Sequence, residues 1–189
     1  MGEGGGRGGL PCRFVVSGWR GFGTGRIPAV TKQPMALEVI VRGVWEVQGR
    51  ILLCRNRGAT YAYLPGGHIE PGEGAEAALR REMREETGGR FTVGRFLGAD
   101  EEVFRQRGQL HAELNLVFAM EGPARWVFPR LPSARESHLE FFWARRTDLE
   151  LAGFLPRKLA RRLLEWTRHG PGWSGLADRT GKSAGKRIA

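Results

Sequence analysis

The sequence predicts an α/β domain of ordinary size, and three observations carry that prediction. Apolar and polar residues alternate with period two around Leu37–Val41 and along Gln109–Met120, the pattern of half-buried strands. Gly74–Thr87 and Pro156–Arg168 instead repeat apolar residues at helical spacing. Glycine and proline punctuate the joints, at Pro65-Gly66-Gly67, Pro71-Gly72 and Gly88-Gly89. The chain has 189 residues, 41% hydrophobic and 26% charged, a mix that favours a folded, soluble chain over a disordered one. No apolar run approaches the roughly 20 residues that span a bilayer, so no membrane anchor is expected. Cys12 and Cys54 are the only cysteines, which argues against a disulfide framework or a zinc site and for a reducing, cytoplasmic setting.

Taken in order, residues 1–34 hold ten glycines and no sustained period, and read as a flexible Gly/Arg-rich arm. Met35 follows directly and opens the first strand pattern, so the arm is also open to being an artefact of start assignment, absent from the native protein. Its arginines admit a transit peptide or an RNA-binding arm as lesser alternatives. Leu37, Val39 and Val41 begin a strand that Val44–Val47 continues; Gln48-Gly49 turns, and Arg50–Cys54 returns as a hairpin. Tyr61–Leu64 is a short strand ended by Pro65-Gly66-Gly67. The helix from Gly74 stops at Gly88-Gly89. Strands follow at Phe91–Phe96, Gln109–Met120 and Glu140–Ala144. The last helix turns Leu159, Leu163 and Trp166 to one side and carries Arg157, Lys158, Arg161, Arg162 and Arg168 elsewhere. The domain is expected over 35–169, with 170–189 a basic disordered tail.

The net charge of +10 is uneven: residues 1–34 contribute +4, residues 170–189 +3, and the whole of 35–169 only +3. The folded body is therefore a poor candidate for a nucleic-acid surface. Against that background, "REMREET" (Arg81–Thr87) gathers Glu82, Glu85 and Glu86 at i, i+3 and i+4, where like charges are neighbours on a helix and mildly destabilise it. On a wheel of about 100° per residue, Ala75, Ala78, Leu79 and Met83 form the inward stripe, and the three glutamates extend it. Glu76, Arg80, Arg84 and Thr87 take the outer face. Inward carboxylates are costly without a counter-charge, and Arg81 alone does not neutralise three. A divalent cation does. An oxygen-only donor set points to Mg²⁺ first, with Mn²⁺ second. The glycine loop just before the helix lets backbone approach a ligand closely, which suits a phosphorylated substrate whose oxygens complete a magnesium shell.

Those residues carry a resemblance. Gly67, Glu73, Arg81-Glu82-Met83, Glu85-Glu86 and Gly88 stand at the spacing of the Nudix box, matching eight of nine specified positions; Gly89 replaces the aliphatic residue at the ninth. "YLPGG" before the box, the hairpin, "HAELNLVFAM" and the C-terminal helix resemble the Nudix α/β/α sandwich with a mixed central sheet. The resemblance implies hydrolysis of a pyrophosphate linkage in a nucleoside diphosphate joined to another moiety (a nucleotide sugar, dinucleoside polyphosphate, ADP-ribose or (d)NTP), using one to three divalent cations. It implies metal ligation by Glu82, Glu85 and Glu86, a backbone carbonyl from Gly66 or Gly67, orientation of the glutamates by Arg81 with Glu73 as its partner, and a structural Gly88. Packing after Gly89 falls to Phe91 and Val93. The general base is Glu82 or a carboxylate outside the box: Glu136, Glu140 or Glu113, with His111 beside the last. Tyr61, Tyr63, Trp45 and Trp126 are the aromatic residues that could stack on a base, and Arg55 and Arg57 the cations that could hold outer phosphates. A homodimer is the assembly to test. The reading from another class is a catalytically silent nucleotide- or RNA-binding module of the same fold.

Overall fold

A computed structural model describes residues 36–106 and 108–176; the expectations for the N-terminal arm and for the tail beyond 176 lie outside the described residues. Four strands form a mixed sheet. β1 (Leu37–Val44) runs parallel to β5 (Gln109–Glu121), β5 antiparallel to β4 (Thr92–Gln106), and β7 (Gly172–Ser174) parallel to β4. A second, antiparallel sheet joins β2 (Glu46–Val47), β3 (Arg50–Asn56) and β6 (Leu139–Arg145). Helices α1 (Ala75–Thr87) and α2 (Arg157–His169) complete the domain. Each covers its own core. Ala78, Leu79 and Met83 of α1 pack with Val41, Leu52, Cys54, Phe118 and Phe141. Leu159, Leu163 and Trp166 of α2 pack with Val44, Ile51, Leu53 and Val117. Strand β3 thus sends alternate side chains to opposite cores, the period-two rule of a strand buried on both faces.

The hairpin over Gln48-Gly49 forms between β2 and β3, with both turn residues at positive φ (50° and 70°). Such a turn matches the strand twist. The continuous strand expected from Leu37 to Val47 does not form: β1 ends at Val44, and the chain passes to the other sheet. Trp45 is the reason. It is 4% exposed, wedged edge-on against Phe91 (ring centroids 5.5 Å) and Trp143 (5.1 Å), so its indole anchors the crossing point between sheets. The expected Tyr61–Leu64 strand is only two isolated bridges, Tyr63 to Cys54 and Ala62 to Phe154. Strand β4 runs ten residues beyond the expected Phe96. Register shifts between Val93 and Gly98, with Gly98 at φ 156°, flip the alternation, and a bulge of this kind hides a strand from period counting. Part of the expected tail is also ordered: Gly172–Ser174 pairs with Gly98–Asp100.

Candidate active site

The loop from Leu64 to Gly74 is laced along β1. Val41 N–H donates to the Gly67 carbonyl (2.9 Å), Gly43 N–H to Pro65 (2.9 Å), and Ile69 N–H to Val39 (3.0 Å). Gly66 sits at φ 130°, and a Cβ there would run into the Val41 carbonyl; a Cβ at Gly67 would collide with the Glu82 carboxylate. Only glycines allow this close approach of loop to helix. Arg42 Nη1 donates to the Gly66 carbonyl at 3.2 Å. Both glycine carbonyls therefore already accept one hydrogen bond, and each keeps a second lone pair.

Helix α1 ends at Gly88, whose φ of 72° turns its N–H back to the Arg84 carbonyl at 2.8 Å, a left-handed cap that glycine makes at no steric cost. In the middle of α1, Arg81 forks onto Glu73 (Nε–Oε1 3.1 Å, Nη2–Oε2 2.9 Å), and the same guanidinium reaches Glu82 (2.7 Å), Glu85 (3.3 Å) and the His68 carbonyl (2.9 Å). Glu73 lies in the turn before the helix and folds back over it, which is how residues eight apart meet. All five guanidinium hydrogens are directed, so Arg81 is a rigid strut between loop and helix. The Arg81 hydrogen bonds hold the Glu73 carboxyl below its ordinary range.

The wheel needs two corrections. The Glu85 side chain is 56% exposed, not inward, because it turns along the surface toward Arg81 one turn back. Thr87 is buried, not outward: its hydroxyl donates to the Met83 carbonyl and accepts from Gly89 N–H at 3.0 Å. Glu86 is 7% exposed, and its Oε2 is buried with no hydrogen-bond partner. Burial first, then the charge of Glu82, pushes its carboxyl up to about 8, with Glu136 and Glu85 adding and Arg42 opposing.

Among the described residues, no three His, Cys, Asp or Glu side chains converge as a finished metal cage. Arg81 explains why: it draws Glu82 and Glu85 toward itself. The donors nonetheless fit a hard dication. Glu86 Oε2 is an orphaned buried oxygen, Glu82 one helical turn earlier lies against Gly67, and the set is all oxygen. Magnesium ordinarily takes only one or two carboxylates and leaves the rest of its shell to phosphates and water.

At the Leu64 start of this loop opens a cleft of about 860 Å³, whose walls include Arg42, Tyr61, Tyr63, Glu113, Asn115 and the first turns of α2. Arg42 joins cleft to box: besides the Gly66 carbonyl it donates to the Leu64 carbonyl (3.2 Å) and to Asn115 Oδ1 (3.2 Å), and it lies over the Tyr63 ring (5.2 Å). The sequence reading missed Arg42 and Asn115. Neither stands out in sequence, because each strand already alternates apolar and polar residues.

The residues proposed from outside the box are scattered. Glu113 lines the cleft and accepts from Asn115 Nδ2 at 3.3 Å. Glu136 is close enough to raise the Glu86 carboxyl, and pairs with His138 at 3.3 Å. Glu140 is committed to an ion pair with Arg55, and Arg57 donates to the Ser137 carbonyl at 2.8 Å; both arginines fasten β3 to the β6 approach instead of waiting for phosphate. His111 hydrogen-bonds Glu38 (3.1 Å) and stacks on Phe104. Tyr61 and Tyr63 face the cleft, whereas Trp45 is core. Trp126 lies on Gly89: a Cβ at Gly89 would strike its ring, which packs on Phe91 at 6.2 Å. The missing aliphatic side chain of the box is thus replaced by an indole from a distant segment.

The NUDIX domain matches residues 35–169, and the chain belongs to that family. Solved structures agree on the fold. A NUDIX hydrolase from Nitrosomonas europaea is 23% identical with a TM-score of 0.56, over 74% of this chain and 93% of that one. The MutT protein from Methanosarcina mazei Go1 is 20% identical with a TM-score of 0.56, over 72% and 97%. A UDP-X diphosphatase is 18% identical with a TM-score of 0.55, over 78% and 71%. No curated protein matches the chain in sequence. Among the described residues, no helix is long and apolar enough to cross a membrane.

Proposed function

We propose that the chain is a Mg²⁺-dependent pyrophosphohydrolase that cuts the anhydride of a nucleoside diphosphate linked to another moiety. The observation that carries this reading is Glu86, a buried carboxylate with an unpartnered oxygen set among other acids at the box. When bound, the cation neutralises charge that develops on the diphosphate. Glu86 and Glu82 would hold it, with Glu85 as the third carboxylate that α1 offers. Arg81 keeps Glu82 pointed at the glycine cradle through its grip on Glu73. A carboxylate must take the proton of the attacking water; Glu82 serves best, with Glu136 and Glu113 as the alternatives and Glu140 committed to Arg55.

The test is release of phosphate or nucleoside monophosphate from nucleotide sugars, dinucleoside polyphosphates, ADP-ribose and (d)NTPs, with Mg²⁺ and with EDTA. Turnover is expected only with metal, and Glu82→Gln should lower kcat by about 10³-fold while leaving thermal stability nearly unchanged. No release from any substrate would instead favour a binding module.

A further inference from the structure

The cleft carries a charge pattern that hydrolysis of a bare diphosphate does not require. Arg42 stands at the end that meets the box. The walls also include the start of α2, where Arg157, Lys158 and Arg161 all line the cleft. Lys158 is already committed, with Asp100 at 3.4 Å and Glu102 at 3.3 Å. Arg157 and Arg161 are exposed and, among the described residues, have no carboxylate partner. They lie one turn apart, where like charges repel, and the first turn of α2 holds no acid, so its bases also oppose the helix dipole. Of the two acids in the cleft, Glu102 faces Lys158 and Glu113 accepts from Asn115. Neither offsets the arginines. A concave wall of one sign concentrates counter-ions in the cleft more than a convex surface would. Tyr61 and Tyr63 also line the cleft, with ring centroids 6.4 Å apart and tilted by 35°, an apolar stretch suited to a base or sugar face.

We propose that this cleft receives the non-reacting part of the substrate and selects nucleotides that bear a further phosphate away from the anhydride being cut, with Arg157 and Arg161 reading that phosphate. The inference rests on the pyrophosphohydrolase reading for its placement of the scissile bond at the Arg42 end. The extra phosphate has two chemical sources, the ribose and the polyphosphate chain, and matched pairs separate them: NADP⁺ against NAD⁺, and diadenosine tetraphosphate against diadenosine diphosphate.

The experiment measures kcat and KM for all four compounds with Mg²⁺, in the wild type and in the double variant R157E/R161E. Both side chains are exposed, and circular dichroism checks that the variant is folded. In at least one pair, the phosphate-richer member should be favoured by about tenfold or more in kcat/KM, chiefly through KM, as expected for charge-assisted hydrogen bonds to one phosphate. The double variant should reduce that preference below about threefold. Equal treatment of both members in both pairs, or a preference that survives the charge reversal, would overturn the proposal. If none of the four is hydrolysed while other substrates of the panel are, or none at all, calorimetric binding of the same pairs decides it. Tighter binding of the richer member, lost in the variant, supports the cleft assignment even where the hydrolase reading has failed. Equal affinity sinks it.

Discussion

Glu86 on α1 and Asp100 on β4 are both buried carboxylates with unpartnered oxygens, yet their surroundings differ in sign. Asp100 is fully buried, at 0% exposure, against 7% for Glu86. Burial raises both, but the deeper Asp100 reaches only about 6, with Ser174 and Lys158 working against the rise, while Glu86 reaches about 8. Asp100 has the Lys158 ammonium at 3.4 Å. Glu86 has three acids adding to its rise and only Arg42 opposing, and among the described residues it makes no ion pair. One acid has its cation supplied by the fold. The other makes no such ion pair among the described residues, and under the proposed function it is the acid left to meet a metal.

The comparison breaks most visibly in turnover. Glu86→Gln should lower kcat by about 10²–10³-fold, the range for losing a charged group that acts in the transition state, and should abolish any rise in Tm on adding Mg²⁺. Asp100→Asn should keep that metal-induced rise. Steady-state kinetics and metal-titrated thermal melts on both variants check this. A Glu86→Gln protein with near-native kcat and an intact Mg²⁺ shift would remove Glu86 from the site.

The second effect is on stability. Lys158→Met should turn Asp100 into a second unneutralised acid, at a cost of about 3–5 kcal/mol for stranding one partner of a buried pair. Urea unfolding at pH 7 measures it, and the double change Lys158→Met/Asp100→Asn should recover most of the loss. Simple additivity of the two single changes would mean that the 3.4 Å contact is not what holds Asp100 charged.

The two acids were also unequally legible. Glu86 stands out from sequence because α1 is regular: Ala78, Leu79 and Met83 fix the inward stripe, and anything sharing their arc must be buried. Asp100 follows a bulge at Gly98 that resets the alternation, and "ADEE" reads as a solvated run. Its cation comes from α2, 58 positions away, and no local pattern encodes that pairing. Glu85 was misplaced for a related reason, since a wheel assigns directions to Cα atoms and not to long side chains that follow an arginine. Gly89 shows the same limit. Its departure from the box is explained only by Trp126, which occupies the space an aliphatic residue would fill. The second sheet was hidden because β1 and β2 are contiguous in sequence and part only at Trp45. Regular local geometry was readable; charge balance and space filling between distant segments were not.

The smallest effect is the dependence of stability on pH, and it tests the sign of the comparison. A carboxyl whose folded value lies above its unfolded one favours the folded state when protonated; its contribution is complete below the unfolded value and is lost as pH rises through the folded one. For Glu86 that window runs from its ordinary 4.5 to about 8. For Asp100 it runs from 3.8 to about 6. Metal-free protein should therefore lose stability between pH 5 and pH 8, with Glu86 alone responsible for the upper half of the fall. Glu86→Gln in EDTA should match the wild type at about pH 5 and melt roughly 3–5 °C higher at about pH 8, a shift of the size that one to two kcal/mol produces in a domain of this length. Asp100→Asn should change the slope only below about pH 6. Saturating Mg²⁺ should flatten the upper half in the wild type, because a ligand of the charged form stabilises the folded state by mass action. Calorimetric melts at pH 5, 6.5 and 8 would expose the opposite result, a Glu86→Gln protein with the wild-type slope, and such a slope would move the unpaired charge away from the box.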